Sequence, residues 1–307
     1  MRGKRSAALE SSGRRARPNR VVVVVRRFRG LARMRQMPKV LIFLIAGALV
    51  AEPAYPQAVT ALVDGFETGT IRSTLWNESS TAGCSATVPS GGASEGTYYL
   101  RSTLTANPPT GGNYRCEQNA RGVGENTPVP STRYYHFALR VPSNFANDND
   151  AGDTVMQLHY GAGSGGHYAI KIVNSSVMWV ANGISGGSSG SLGALVKGQW
   201  VEWCTRVDWR NNNTGLIKVW RNPSAETDTP TFQQNNITTV PTGLQAGKFK
   251  IGLYKSVWRT NNFPNPFNSA TSPRVVEHDD VRMGLTFAEG CGGGTSGPAP
   301  PSSVTVE

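Results

Sequence analysis

Apolar and polar residues alternate with a period of two in many short segments after residue 60, and turn residues separate these segments. The clearest predicted strands are residues 134–141, 154–160, 167–173, 199–209, 216–222 and 249–258. The turn at residues 211–215 predicts a hairpin between two of them. No helical periodicity of useful length follows residue 52. Many antiparallel strands in one domain favour an all-β sandwich or jelly roll.

Three segments present an unusual set of polar side chains on one face. Side chains at positions i and i+2 share a face of a strand, so the apolar residues between them face the core. If the three polar rows lie on one sheet, they form a floor of groups able to transfer protons, and Gly252 leaves room there for a ligand. The alternative is that each row is ordinary solvent-facing surface. The rows are Arg115 with Glu117, Gln157 with His159, and Lys250 with Tyr254.

Positive charge is concentrated at the start of the chain. The protein has 31 Lys and Arg and 20 Asp and Glu, a net charge of +11. Residues 1–36 hold 12 of the basic residues and one of the acidic residues, so residues 37–307 carry 19 of each. The composition of the folded part therefore gives no reason to expect a nucleic-acid partner.

The segment after Met37 has the pattern of a secretory signal peptide. Lys39 precedes the apolar run 40–51, and small residues follow. The run is too short for a stable membrane anchor, and a buried core helix is the alternative. We predict a basic extension at 1–36, a signal peptide at 37–58, one β domain at 59–291 and a Gly/Pro/Ser-rich tail or linker at 292–307. The protein is then secreted or periplasmic.

The four cysteines fit an exported protein, because an even number in such a protein predicts two disulfides. We favour the pairs Cys84–Cys116 and Cys204–Cys291, since each would tie neighbouring or terminal strands. A zinc site is the alternative, but the sequence contains no C-x-x-C pair.

At the three polar rows, the chain resembles polysaccharide lyases of the heparin-lyase, glucuronan-lyase and alginate-lyase type. Alginate lyases of this group carry R-[ST]-E-L, Q-[IV]-H and Y-F-K-x-G-x-Y-N-Q motifs. The counterparts are RCEQ at 115–118, QLH at 157–159 and KFKIGLYKS at 248–256, in the same order. Cys116, Gln118, Lys255 and Ser256 depart from the alginate-lyase pattern and leave the substrate open. The resemblance covers most of residues 64–291 and implies a concanavalin A-like β-jelly-roll sandwich of two antiparallel sheets.

The resemblance also implies β-elimination on a uronate-containing polysaccharide. Gln157 and Arg115 would hold the uronate carboxylate and stabilise the enolate-like transition state. Tyr254 is our first choice for the base that removes the C5 proton, His159 is the second, and the tyrosine can also protonate the leaving oxygen. The predicted substrate-binding residues are Lys250, Glu117, Lys255 and Arg259.

We expect a monomer that acts on an acidic polysaccharide without a required cofactor. Family analogues contain structural calcium, and oxygen ligands suit this ion, although a solvated acidic rim is the alternative. A non-catalytic carbohydrate-binding module is the first alternative function, with tryptophans as stacking platforms. A laminarinase-type hydrolase is the second, but the sequence lacks an E-x-D-x-x-E run. The candidate calcium ligands are Asp64, Glu67, Asp279 and Asp280.

Overall fold

The computed structural model describes residues 62–105, 114–122, 127–148, 152–160, 166–182, 186–244, 246–258 and 272–292. The predicted extension, signal peptide and C-terminal tail lie outside these residues, as does Arg259. The strands are β1 Leu62–Asp64, β2 Trp76–Ser80, β3 Cys84–Thr87, β4 Leu100–Leu104, β5 Tyr114–Ala120, β6 Ser131–Arg140, β7 Asp153–His159, β8 His167–Val173, β9 Ser176–Asn182, β10 Gly190–Ala194, β11 Val201–Trp209, β12 Gly215–Arg221, β13 Phe232–Ile237, β14 Lys248–Lys255 and β15 Arg274–Gly284. A 3-10 helix spans Ser256–Trp258, and helix α1 spans Phe287–Gly290. Within the described ranges, no helix has the length and apolar character needed to cross a membrane.

The strands form two antiparallel sheets. One has eight strands in the order β13-β12-β11-β6-β15-β4-β3, with β1 also paired to β15. The other has seven strands in the order β10-β9-β8-β7-β14-β5-β2. The predicted hairpin is present, because β11 pairs with β12 across residues 210–214. The structure confirms the predicted all-β sandwich of two antiparallel sheets.

The main core consists of the apolar residues that alternate with the polar rows. Met156 and Leu158 of β7 are buried in it, as are Phe249, Ile251 and Leu253 of β14. Burial of each such side chain contributes about 1.5–3 kcal/mol relative to exposure. The apolar rows thus fix which face of the seven-stranded sheet turns inwards. We call the opposite face the outer face.

Both disulfides have the pairing favoured from the sequence. Cys84–Cys116 joins β3 of the eight-stranded sheet to β5 of the seven-stranded sheet. Cys204–Cys291 joins β11 to the residue that caps α1. A second small core packs around the latter bond and includes Trp220. Disulfides of this kind persist in oxidising compartments, which indicates that the protein functions outside the cytoplasm.

A buried ionic network joins the end of β14 to β7 and β15. Lys255 Nζ lies 2.7 Å from Asp148 Oδ2 and 3.5 Å from Asp153 Oδ1. Arg274 forms a bidentate pair with Asp153 and also donates to the carbonyl of Ala146. The prediction that Lys255 binds substrate is therefore wrong. Its side chain is fully buried on the inner side of β14, opposite to Tyr254, and its ammonium is held by two carboxylates.

Candidate active site

The three polar rows lie on adjacent strands of the seven-stranded sheet, in the order β7-β14-β5. Residues directly opposite each other in antiparallel strands share a face. Tyr254 is opposite Arg115, and Lys250 is opposite Gln157. The sheet therefore brings the six side chains together on its outer face. We call this set the polar floor: Arg115, Glu117, Gln157, His159, Lys250 and Tyr254.

Contacts within the polar floor connect all three strands. Gln157 Nε2 of β7 donates a hydrogen bond to Glu117 Oε1 of β5. The other oxygen of Glu117 lies 4.0 Å from Arg115 Nε. The Arg115 guanidinium stacks over the Tyr254 ring, with Cζ 5.0 Å from the ring centroid. Glu117 thus stands between the amide and the guanidinium and can orient both.

The charged groups of the polar floor are largely removed from water. Burial raises the pKa of Glu117, and the neighbouring Lys250 and Arg115 and the hydrogen bond from Gln157 oppose this increase. Burial likewise lowers the pKa of Lys250, while Glu117 opposes the decrease. Electrostatic interactions are stronger in such surroundings than in water. A substrate anion bound here would therefore interact strongly with the two cations.

His159 is held as a neutral imidazole. Burial, together with the positive charge of Lys250 and the neighbouring His167, lowers its pKa to about 4. The two rings lie on directly opposed residues of β7 and β8 and stack, with centroids 5.2 Å apart. A neutral imidazole has one nitrogen free to accept a hydrogen bond or a proton, and the lowered pKa makes it a weaker base than a free histidine. The sequence alone does not bring His167 to His159, because the pairing of β7 with β8 is not visible in it.

Gly252 serves the approach of two strands rather than the entry of a ligand. Its φ is +118°. A Cβ at this position would lie 2.3 Å from the carbonyl oxygen of Cys116 and 2.8 Å from Cα of Glu117. Only glycine combines this backbone conformation with so close an approach. We expected Gly252 to leave room for a ligand. In the structure it instead allows β14 to pack closely against β5.

The sequence of residues 66–282 matches the family model described as polysaccharide lyase. The chain belongs to this polysaccharide lyase family. No curated protein sequence shows significant similarity to the lyase.

Solved structures resemble the lyase at the level of the fold. One is the endo-β-1,4-glucuronan lyase from the fungus Trichoderma reesei, with 19% identity, a TM-score of 0.58, and coverage of 70% of this chain and 93% of that one. Another is the cellulose-induced protein Cip1, with 14% identity, a TM-score of 0.50, and coverage of 73% and 97%. At these identities the likeness shows a shared sandwich fold.

The tryptophans of the lyase are mostly core residues. Of the six considered as sugar-stacking platforms, five are almost completely buried, namely Trp179, Trp203, Trp209, Trp220 and Trp258. Trp200 is partly exposed, but the Arg140 guanidinium lies 4.4 Å from its ring centroid and its indole N–H bonds to Gly92 O. The burial of these tryptophans therefore weakens the alternative of a carbohydrate-binding module.

The four acidic residues considered for calcium have other partners in the lyase. No set of three or more His, Cys, Asp or Glu in the described ranges is arranged to hold a metal ion. N–H groups of the protein contact all four carboxylates. Asp64 bonds to Phe66, Trp76 and Arg72, Glu67 to Thr97 and Tyr98, Asp279 to Ser94, Glu95 and Asp280, and Asp280 to Arg282.

Proposed function

We propose that the polar floor is the active site, and that the lyase cleaves a uronate-containing polysaccharide by β-elimination. The observation that carries the proposal is the contact chain from Gln157 through Glu117 to Arg115 and Tyr254. It places an amide, a guanidinium and a phenol on one face of three adjacent strands. These are the groups needed to bind a carboxylate and to move a proton beside it.

Carboxylate binding falls to Gln157 and Arg115. The amide of Gln157 has two N–H groups, and among the described residues one of them bonds to Glu117, which leaves the second for a substrate oxygen. The Arg115 side chain keeps 27% of its surface exposed, so part of it remains accessible to a substrate. Hydrogen bonds to the uronate carboxylate strengthen as negative charge develops on it, and this lowers the barrier to loss of the C5 proton.

Tyr254 is the proposed base. As the phenolate, it takes the C5 proton, the electron pair of that bond forms the C4–C5 double bond, and the C4–O bond to the next sugar breaks. The leaving oxygen receives a proton from the tyrosine that has just accepted one. His159 is the alternative base, with Tyr254 then acting only as the acid. The epimer of the uronate decides between them, because it sets the face of the ring from which the proton leaves.

Glu117 and Lys250 affect the orientation and the charge of the polar floor. A carboxylate beside the substrate anion would repel it, but Glu117 is nearly fully buried, accepts the bond from Gln157 and lies close to Arg115. Lys250 is opposite Gln157 and interacts electrostatically with Glu117. We propose that Glu117 orients the two carboxylate-binding groups and that Lys250 balances its charge.

The proposal includes export and a monomeric enzyme. A signal peptide at residues 37–58 would deliver the chain to the periplasm or the exterior, where disulfides are stable. Acidic polysaccharides of cell walls and matrices are found on the same side of the membrane. No cofactor enters the proposed steps.

The test is a lyase assay with the purified protein on glucuronan, alginate, heparin, hyaluronan and pectate. Unsaturated uronate products are followed by their ultraviolet absorbance. We expect the absorbance to increase with one of the substrates. For Tyr254→Phe we expect kcat to fall at least about 100-fold, in keeping with general acid–base catalysis. Tyr98→Phe is the matched control, because Tyr98 is partly buried beside β4 of the other sheet.

The controls separate the two possible bases. Loss of activity in both Tyr254→Phe and His159→Asn on the same substrate assigns His159 as the base and Tyr254 as the acid. Loss in Tyr254→Phe alone assigns both roles to Tyr254. Full activity of Tyr254→Phe would refute the mechanism. Absence of product on all five polymers, with binding retained to one, would favour a carbohydrate-binding role over the proposed reaction.

A further inference from the structure

A row of directly opposed residues crosses the seven-stranded sheet through Tyr254. From Tyr254 the row passes in one direction to Arg115 of β5. In the other direction it passes over β7 and β8 to β9 and β10. The members on that side are Thr154, Lys171, Met178 and Ser191, each opposite the next. The row therefore extends beyond the polar floor, onto strands that carry none of the three motifs.

Lys171 is the charged member of this extension. It alternates along β8 with Ile170 and Ile172, which are buried in the core, so its side chain belongs to the outer face. Two irregularities in β7 and β14 bring Thr154 into register with both Tyr254 and Lys171. Lys171 thus lies on the same face and in the same row as Tyr254.

The ammonium of Lys171 is partly removed from water and has no counter-ion within the described part of the chain. Lys171 is partly buried, and burial is the cause that lowers its pKa. Two fully buried cations, Lys255 and Arg274, differ in this respect, since each contacts a carboxylate. A half-buried lysine without an anion is costly unless a ligand supplies one.

The spacing of the strands sets the distance between the two positions. Lys171 lies two strands from Tyr254, and strands are about 4.8 Å apart, so the two backbone positions are about 10 Å apart. A polysaccharide that crosses the strands along this row would place another sugar over β8 while one sugar reacts at Tyr254. The length is comparable with that of a disaccharide.

We propose that Lys171 forms a second carboxylate subsite, which binds a uronate of the same polysaccharide other than the one that reacts. The inference rests on the proposed function and deepens it. It assigns the lyase to polymers in which uronates follow one another closely, rather than to polymers with isolated uronates. Lys171 is a binding and specificity residue and takes no part in the proton transfers.

The test is steady-state kinetics of Lys171→Met on the polymer that the wild-type protein cleaves. We expect KM to rise about tenfold with kcat within twofold, because a charge-assisted hydrogen bond is lost from binding alone. Lys171→Arg keeps the positive charge and should restore KM to within threefold. Lys218→Met is the matched control, since Lys218 is partly exposed on β12 of the other sheet.

The outcomes distinguish the inference from the proposed function. A wild-type protein without lyase activity on any uronate polymer removes both. An active wild-type protein, with KM of Lys171→Met unchanged within twofold, overturns the subsite and leaves the function intact. Equal losses in Lys171→Met and Lys171→Arg, or a shared loss of kcat, would also overturn it. Urea midpoints of the variants, measured alongside, show whether each is folded under assay conditions.

Discussion

Replacement of Lys255 by methionine tests the division of β14 into a catalytic face and a buried face. Lys255 follows Tyr254 directly, yet its side chain has no exposed surface. Its ammonium lies 2.7 Å from Asp148 and 3.5 Å from Asp153, and Arg274 is paired with Asp153. The four residues carry two positive and two negative charges, so the network is neutral as a whole.

Lys255→Met leaves the buried network with one uncompensated negative charge. Removing one partner of a buried ion pair typically costs about 3–5 kcal/mol of unfolding free energy, because the remaining charge stays desolvated. The double variant Lys255→Met with Asp148→Leu leaves the neutral pair of Asp153 and Arg274. We therefore expect the loss of unfolding free energy in the double variant to be smaller than the sum of the losses in the two single variants, by about 1–3 kcal/mol.

The measurement is urea unfolding of the wild-type protein and the three variants, with the disulfides intact, followed by tryptophan fluorescence and by circular dichroism. Equal m values show that the same surface is exposed in each case. Lyase kinetics on the same samples, below the unfolding transition, should give KM within twofold of the wild-type value. The lysine is on the side of the strand that faces away from the substrate.

A loss of unfolding free energy below about 1 kcal/mol for Lys255→Met would refute the assignment of Lys255 to a buried ion pair, since removal of one partner of such a pair destabilises the protein by more than this. Strict additivity of the two substitutions would refute the direct contact between Lys255 and Asp148. A rise in KM without loss of stability would restore the original prediction that Lys255 binds substrate.

Two further predictions concern stability. His278 is fully buried and its pKa is lowered to about 4, so between pH 4 and 6.5 the unfolded chain binds more protons than the folded one, and stability falls as the pH falls. From pH 7 to pH 5 this amounts to about 2 kcal/mol, which His278→Gln should remove from the difference between urea titrations at the two values; an unchanged difference would contradict the burial of a neutral imidazole. The Cys84–Cys116 bond spans 32 residues, and Cys84→Ala with Cys116→Ala should cost about 4 kcal/mol in the same assay through loop entropy. A loss below about 1 kcal/mol would show that the bond adds little constraint.

The alternation of side chains carried most of the prediction of the active site. It assigned Arg115, Gln157 and Tyr254 to polar faces, and the structure brings those faces together on adjacent strands. The same rule, applied one residue further, separates Lys255 from Tyr254 and groups it with the core residue Leu253. The error over Lys255 thus came from treating a basic residue near the motif as exposed, although the sequence held the signal to correct it.

The order of strands in a sheet could not be obtained from the sequence. Pairing of β7 with β8 brings His167 against His159 and adds Lys171 to the row of Tyr254. Nothing local in either strand specifies its neighbour, because pairing is decided by contacts between segments far apart in the chain. The register irregularities that align Thr154 with its neighbours are equally invisible in a pattern of period two.

The charges of the folded part are distributed unevenly, so that one face of the seven-stranded sheet is positive. Residues 37–307 have no net charge, yet one face of the seven-stranded sheet carries the cations Arg115, Lys171, Lys248 and Lys250 with the single carboxylate Glu117, counted over the described residues. The balancing acids must then lie elsewhere on the molecule. At physiological salt the field of this face extends only about 8 Å. The protein therefore does not attract a polyanion over long distances, but it orients and binds a polyanion that has reached its surface. Added salt should weaken binding of the polymer far more than it slows bond cleavage.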